Sequence, residues 1–466
     1  MGVARVTILE AIADPLLFAP FFRPMELWRS WLVFLAATFG LPLSDLELLF
    51  GIKPADALAL YQTHTQRGPW PTVSAREGWI VVGARGGKSR IVALTATFLA
   101  CFRDYGPLLA PGERGILMVI AADRDQAKVV YGYITAFIRE VPMLKAMLEG
   151  EPTLDAINLT NRVTIKIQTG NYRSVRDWTV IGCVASEIAV WRSDDSANPD
   201  TEVLRGVRRG MLTIPGAMLL AISSPYARRG ALWETYKRHF GKENPRVLVW
   251  QAPTWAMNLR LSEDHEDIRA AYEEDEVAAA AEYGAEFRRD VESFVSREAV
   301  DAVVMPGRME LSPVPERPYV AFVDPSGGSS DSMTLAIAHS EERDGVTIGV
   351  LDCMRERKPP FSPDDVVQEH AATLKSYELT TVVGDRYAGE WPRERFRAHG
   401  IEYVVAEKTK NQLYGEALPL LNSARVELLE LPRLVAQLCS LERRTARGGR
   451  DSIDHPPKAH DDVANA

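Results

Sequence analysis

Cysteine is scarce in this 466-residue chain: the four present, Cys101, Cys183, Cys353 and Cys439, lie far apart and none belongs to a CxxC pair. That excludes a disulfide framework and a cysteine-built zinc site, and predicts a reducing cytoplasmic setting. Long apolar runs are missing too. The most apolar early stretch, Trp31–Leu41, is too short to cross a bilayer and is preceded by Arg23 and Arg29, so no membrane segment is expected. Residue 6 is Val, where a myristoylation signal needs Ser or Thr. There is no excess of positive charge: 54 Lys+Arg against 63 Asp+Glu leave a net of −9, which excludes uniform basicity. Repeats and low-complexity tracts are absent as well. What remains is globular composition, 46% hydrophobic and 25% charged, enough for two or three cored domains.

The acidity is local. Residues 261–292 hold 12 Asp+Glu against 3 Lys+Arg, a net of −9, and the remainder carries 51 of each sign. Arginine clusters elsewhere are therefore free to face a polyanion. The acidic stretch, with its Ala278–Ala281 run, reads as a solvated connecting helix.

Residues 1–70 show helical apolar spacing broken by Pro15, Pro20, Pro24, Pro42 and Pro54, predicting a helical N-terminal segment without chemistry. Over 71–258, short β-rich runs (Trp79–Val82, Gly115–Ala121, Val163–Gln168, Trp178–Ala185, Met218–Ser223, Val247–Trp250) alternate with helical segments. That alternation predicts an α/β domain with a mostly parallel sheet. Residues 259–317 read as acidic helix and proline-spaced linker. From 318 to 466 a second α/β pattern begins, with strands at Tyr319–Val323, Met333–His339 and Val346–Cys353, a helix near Asp364–Tyr377 and a strand at Thr381–Gly384. Three strands, then helix and strand, is the order that opens an RNase H-like fold.

Within the first α/β domain, an apolar strand runs into Gly83-Ala-Arg85-Gly86-Gly87-Lys88-Ser89 and then a helical segment. Polyphosphate binding needs that order: glycines let backbone N–H groups converge on phosphate oxygens, Lys88 supplies charge, Ser89 can ligate Mg2+, and the helix N-terminus adds its dipole. The pattern is a variant of the Walker A P-loop, since Val82 stands where the consensus GxxxxGK[ST] has its first Gly. An ATPase also needs a carboxylate at the end of a buried strand. Glu187, closing Trp178–Ser186, is the candidate base, although Ser186 stands where an Asp would hold Mg2+. The strand Met218–Ile222 ends in Ser223 and Ser224, candidates for coupling hydrolysis to movement; read alone, Ser-Ser-Pro is a turn. Arg85 and Arg124 are candidate arginine fingers.

In the second α/β domain, Asp324 closes an apolar strand and Asp385 follows another, while His455, His460, Asp461 and Asp462 cluster near the chain end. Two-metal phosphodiester hydrolysis requires several carboxylates converging on ions about 4 Å apart. Asp324, Asp385 and Asp462 fit that order. Asp461 is the rival for the third place, and Asn465 is expected to share a helix face with Asp462. His455 and His460 are expected to play supporting or surface roles. The basic clusters Lys408 and Lys410, and Arg443, Arg444, Arg447 and Arg450, are candidate DNA contacts.

Gly-Ala-Arg-Gly-Gly-Lys-Ser89, Ser186-Glu-Ile-Ala-Val-Trp191, Ile222-Ser-Ser-Pro-Tyr-Ala-Arg-Arg-Gly230, Phe322-Val-Asp-Pro-Ser-Gly-Gly328, Gly384-Asp-Arg-Tyr-Ala-Gly-Glu390 and His460-Asp-Asp462 occur in that order. Together they resemble the large terminase subunit of tailed bacteriophages over about residues 70–466. The resemblance implies a P-loop ATPase domain of the ASCE, RecA-like kind followed by an RNase H-like nuclease domain. It implies an ATP-driven motor that moves double-stranded DNA into a procapsid and an endonuclease that cuts concatemers. Its cofactors would be ATP with Mg2+ and, at the nuclease, two Mg2+ or Mn2+. Its partners would be double-stranded DNA, a portal protein, a small terminase subunit and further copies in a pentameric ring, in the bacterial host cytoplasm, with no membrane. By the same resemblance Lys88 and Ser89 bind nucleotide and metal, Glu187 is catalytic, Ser223 and Ser224 couple, and Asp324, Asp385 and Asp462 hold nuclease metals. The C-terminal tail would be short. Two other readings stay open: a nucleotide-dependent DNA-binding assembly factor with little ATPase, motivated by Ser186, and a resolvase-like nuclease with a regulatory nucleotide-binding domain.

Overall fold

The computed structural model describes residues 6–169, 178–191, 199–329, 331–385, 391–445, 451–456 and 459–466. The chain divides into two units, one of Met1–Arg192 with Asn198–Arg289 and one built on Asp290–Ala466. No helix among the described residues is long and apolar enough to cross a membrane.

The first unit is built on seven strands: β1 Glu77–Val82, β2 Gly115–Ala121, β3 Ala156–Asn158, β4 Val163–Thr169, β5 Val180–Ser186, β6 Met218–Ser223 and β7 Val247–Ala252. They lie in the order β3-β4-β2-β5-β6-β1-β7. Every pairing is parallel except that of the edge strand β3. All residues of β5 and β6 are buried, as expected where helices cover both faces of a parallel sheet and strands read as continuous apolar runs. One strand, β6, separates β1 from β5, the insertion that defines an ASCE-type P-loop sheet.

The helical segment read over 1–70 is part of this unit. Helices Ile8–Ala13, Arg29–Phe39, Leu43–Phe50 and Pro54–Thr65 send Ile8, Phe22, Trp31, Phe34 and Tyr61 into the same core as the sheet. The acidic stretch is a second departure. It forms two helices, Glu266–Glu274 and Glu276–Glu282, and belongs to the first unit, so the division falls after Arg289 and not across a linker of 259–317. Charges hid the reason. Ile268, Ala279, Ala281 and Ala285 are buried, and the backbone beyond the second helix pairs with the sheet end, Thr254 N donating to Tyr283 O at 2.8 Å and Gln251 Nε2 to Ala285 O at 2.6 Å.

The second unit holds β8 Val291–Ser293, β9 Tyr319–Asp324, β10 Met333–Arg343, β11 Val346–Arg357, β12 Thr381–Gly384, β13 Glu402–Val405, β14 Val426–Glu427, β15 Glu442–Thr445 and β16 Asp451–Asp454. Six form one sheet, β13-β12-β9-β10-β11-β14, and three another, β16-β15-β8. β9 and β10 are antiparallel, as are β10 and β11, whereas β12 runs parallel to β9 and β13. Numbered from the first strand of the large sheet, this is the 5-4-1-2-3 order of an RNase H-like fold, with β14 added. The β10–β11 hairpin turns through Asp344 and Gly345, both at positive φ (54° and 76°), the twist-matched geometry that an Asp-Gly pair favours.

At Gly384 the large sheet tolerates no side chain: an added Cβ would lie 2.6 Å from Tyr403 Cε2, and the Tyr403 hydroxyl is held in place by donating to Asp385 O at 2.9 Å. Gly384→Ala is expected to cost about 1–3 kcal/mol through overpacking, read as a lower denaturation midpoint of the second unit's transition.

Candidate functional site

Each unit carries one candidate site. In the first, β1, β5 and β6 run parallel with Val81 opposite Ser223 and Ser186 opposite Ile222, so Gly83, Glu187 and Ser224 emerge at one edge. Ligand sites of open parallel sheets lie at this carboxyl edge. The loop bends through Arg85 (φ 59°) and Gly87 (φ 90°), and helix Lys88–Phe102 begins directly after it. A Cβ on Gly86 would lie 2.7 Å from Val82 Cγ1. Three side chains from two segments, the helix Arg29–Phe39 and the turn Thr254–Asn258, grip the loop carbonyls. Trp31 Nε1 donates to Gly86 O at 2.8 Å, Thr254 Oγ1 to Ala84 O at 2.7 Å and Asn258 Nδ2 to Arg85 O at 2.9 Å.

Lys88 is buried, its Nζ donating to Val82 O at 2.8 Å, Gly83 O at 3.0 Å and Ser224 Oγ at 3.0 Å. Burial pushes its ammonium below the usual lysine range, and the carboxylates of Glu187 and Glu282 pull it back. Glu187 sits in the left-handed region (φ 51°) and accepts from Ser223 Oγ at 3.1 Å. The serine pair is thus divided, Ser223 on the carboxylate and Ser224 on the lysine. Ser186 is buried, its carbonyl accepting from Trp191 Nε1 at 2.8 Å, and it brings no second carboxylate.

A cavity of about 520 Å³ opens here, lined by Arg85, Gly86, Gly87, Lys88, Ser89, Glu187 and Ser224 among the residues singled out in the sequence. Gly83 lies beneath it as the acceptor of Lys88. Arg124 is exposed at the start of helix Arg124–Glu140 and does not line the cavity, so of the two finger candidates only Arg85 faces it from within the unit.

Among the lining residues not singled out in the sequence are Trp28, Arg90, Tyr133 and Glu282. Arg90 lies over the Trp28 ring at 5.4 Å, an attractive cation–π geometry. The only signal for the tryptophans was their i, i+3 spacing in a segment expected to carry no chemistry. Trp31→Phe would leave the buried Gly86 carbonyl unpaired. A loss of about 1–3 kcal/mol is expected, measured as a lower melting temperature with weaker nucleotide binding.

In the second unit, Asp324 is the last residue of β9 and Asp385 the first after β12. Gly384 stands opposite Val323 in parallel register, so the two carboxylates leave the sheet side by side. Asp462 opens the short helix Asp462–Asn465 and is tied to β10: Ser332 N donates to its Oδ2 at 3.1 Å and Thr334 Oγ1 to its carbonyl at 2.8 Å. Thr334 is the cross-strand partner of Asp324, and Asn465 Nδ2 donates to Asp324 Oδ2 at 2.8 Å. These ties bring the third aspartate to the other two.

Burial, with the charges of Asp462, Asp385 and Asp461, pushes the Asp324 carboxyl up to about 7, against the opposing Asn465 hydrogen bond. Burial also raises Asp462, while the Ser332 N–H and His460 act in the opposite direction. Crowded carboxylates that resist ionisation are a donor set suited to a divalent cation, whose charge offsets theirs.

Asp461 points to a different environment. Lys410 Nζ lies 2.7 Å from it and Tyr414 donates to it at 3.0 Å, so its charge is already matched. The same contacts redirect the basic candidates. Lys410 also pairs with Asp454 at 2.8 Å, Lys408 pairs with Glu416 at 2.6 Å and Arg444 with the buried Glu442 at 2.9 Å. Arg443 is exposed. Arg447 and Arg450 lie outside the described residues. Asp331, not singled out in the sequence, stands 3.2 Å from His460; its position seven residues after Asp324, across a glycine turn, was the available signal.

No protein-family profile matches the chain, and no curated protein sequence matches it. Solved structures that resemble it include the HK97 bacteriophage large terminase, at 16% identity over 84% of this chain and 89% of that one, TM-score 0.36. Another is the large terminase from a thermophilic bacteriophage, at 12% identity over 94% of this chain and 96% of that one, TM-score 0.39. A third is the large terminase nuclease from thermophilic phage G20c with bound magnesium, at 18% identity over 37% of this chain and 93% of that one, TM-score 0.32. Likenesses at these scores carry no functional argument.

Proposed function

We propose that this chain is a large terminase subunit: an ATPase that drives double-stranded DNA into a procapsid, joined to a metal-dependent endonuclease that cuts concatemers. The observation that carries the reading is one chain holding both a Lys88–Glu187–Ser223–Ser224 cluster at the carboxyl edge of an ASCE-type sheet and three converging aspartates on a 5-4-1-2-3 sheet. The ordered motifs quoted above support it further.

In the ATPase unit, Lys88 would exchange its carbonyl and Ser224 partners for phosphate oxygens, and the loop N–H groups would cradle the same phosphates. Ser89, in the first helical turn, would hold the Mg2+ that accompanies ATP. Glu187, oriented by Ser223, would accept the proton of the attacking water. Release of Lys88 from Ser224 while Ser223 holds Glu187 would let β6 report nucleotide occupancy.

In the nuclease unit, Asp324, Asp385 and Asp462 would hold the divalent metal, with Asn465 fixing Asp324. Bound there, the metal would activate water and stabilise charge on the phosphodiester. Double-stranded DNA, a portal protein, a small terminase subunit and a ring of further copies are the partners of this reading, in the host cytoplasm. No base-reading motif is expected of a motor that must grip any sequence.

The test is ATP turnover by the full chain with DNA and portal-bearing procapsids, alongside Mn2+-dependent cutting of plasmid DNA. Turnover lost in Lys88→Ala and cutting lost in Asp324→Ala are expected. No hydrolysis by wild type under those conditions would sink the motor reading and favour a nucleotide-dependent assembly factor, for which Ser186 is the motivating residue. Cutting without any turnover would favour a nuclease with a regulatory nucleotide domain.

A further inference from the structure

We infer that the phosphate cavity of the first unit doubles as a stacking site for the nucleotide's base, one that grips the flat face of the ring and does not read its edge, so that the chain takes purine nucleoside triphosphates as a class and not ATP alone. The inference rests on the nucleotide-site reading and deepens it by naming the substrate class.

The lining of the cavity has two chemical characters. Loop residues 84–89, Glu187 and Ser224 are suited to phosphate, whereas Trp28, Val129, Tyr133 and Val190 offer apolar and aromatic surface that a triphosphate cannot use. Packing does not account for these side chains. Helix Arg124–Glu140 buries Ala127, Val130, Tyr131 and Ile134 against the core, while Val129 and Tyr133, four residues apart and so on one face, stay 53% and 40% exposed. Val190 is 38% exposed. Single exposed apolar residues need no explanation, but three gathered on one polar cavity mark a ligand with an apolar face.

Trp28 brings such a surface up to the phosphate loop. A Cβ added to Gly87 would lie 3.2 Å from Trp28 Cζ3 and 3.5 Å from Cη2, so the indole borders the residue that precedes Lys88. Phe22 packs edge-on to it at 5.0 Å, and the Arg90 guanidinium covers both rings, 5.4 Å from Trp28 and 5.1 Å from Phe22. Arg90 is itself tied to Phe21 O. The ring is therefore fixed before any ligand arrives, which spares the cost of ordering it on binding.

Adenine and guanine share a stacking face and differ in the donors and acceptors of their edges. Among the described residues no Asn or Gln side chain lines the cavity, and the two lining carboxylates, Glu187 and Glu282, act on Lys88 at the phosphate loop. Stacking tolerates any base because every base has a π-face. A site with no edge contact to leave unpaired discriminates weakly, unlike one built around such bonds.

The experiment is calorimetric titration of the full chain with the magnesium complexes of ATP, GTP and inorganic tripolyphosphate. Wild type is expected to bind ATP and GTP within about tenfold of each other. Tyr133→Ala should weaken both by about 5- to 150-fold, the loss that follows removal of one stacking ring, with tripolyphosphate affinity changed far less. Tyr133→Phe, which keeps the ring, should bind both nucleotides far better than Tyr133→Ala. Preference for ATP over GTP by about a hundredfold or more overturns the inference, since that requires edge contacts. Equal weakening of ATP and tripolyphosphate in Tyr133→Ala, or nucleotide affinity untouched by it, also overturns the inference and leaves the ATPase reading intact. A wild-type chain that binds neither nucleotide nor tripolyphosphate overturns both.

Discussion

Glu187→Gln is expected to lower ATP turnover by about 100- to 10,000-fold, the usual contribution of a positioned general base, while nucleotide still binds. The amide keeps the size of the carboxylate and can still accept from Ser223 Oγ, now 3.1 Å away, so the cavity survives. What is lost is the capacity to take a proton from water. Filter binding or a fluorescent nucleotide should report affinity within a few-fold of wild type beside near-zero phosphate release. Equal loss of binding and turnover would mean that Glu187 shapes the pocket instead of serving the chemistry. The substitution also tests Ser186. If an unrecognised carboxylate supplied the base, Glu187→Gln would keep most of its activity.

Asp324→Asn is expected to abolish plasmid cutting, by roughly a thousandfold or more if several kcal/mol of metal-derived stabilisation go with it, and also to change how stability depends on pH. The folded-state pKa of Asp324, about 7, lies above the ordinary 3.8. The folded chain therefore holds this proton more tightly than the unfolded chain. Its contribution is fully present below the unfolded value and disappears as pH rises through the folded one. In chelator, the melting temperature of wild type should fall between about pH 4 and pH 7, divalent metal should restore it, and Asp324→Asn should flatten the dependence. A wild-type profile that stays level in chelator, or rises over that interval, would show that the carboxylates are not crowded as the geometry requires.

The fold was legible where local signals and topology coincide. Apolar runs of strand length stood out where both faces of a central strand are covered, so β6 is Met218–Ser223 as read. The Asp-Gly turn between β10 and β11 is equally local. The acidic segment misled because composition reports the solvent face. The few small residues that dock it, Ala279, Ala281 and Ala285, carry no periodic signal strong enough to outweigh twelve carboxylates. The N-terminal tryptophans misled for a related reason. An aromatic pair on a helix announces burial, and only the docked position shows that Trp31 caps Gly86 and Trp28 lines the cavity.

Basic candidates show the same limit more sharply. Lys408, Lys410 and Arg444 look free in sequence, yet each is matched by Glu416, Asp454 with Asp461, or Glu442, partners that lie from two to fifty-one residues away. Choosing between Asp461 and Asp462 needed that information too, because adjacent residues on a helix start face different neighbours.

Sequence alone determined the residue types and their order: a glycine loop with Lys88 and Ser89, a strand-end Glu187, a serine pair, and aspartates at 324, 385 and 462. These are properties of short segments, set by backbone propensity and the chemistry of single side chains. Tertiary structure decided which of them share charge. It placed Ser223 on Glu187 and Ser224 on Lys88, gave Asp461 to Lys410 and Asp462 to Ser332 and Thr334, and brought Asp331 to His460. Electrostatic pairing acts over a few ångströms between segments distant along the chain, and that proximity exists only once the sheets have set their register.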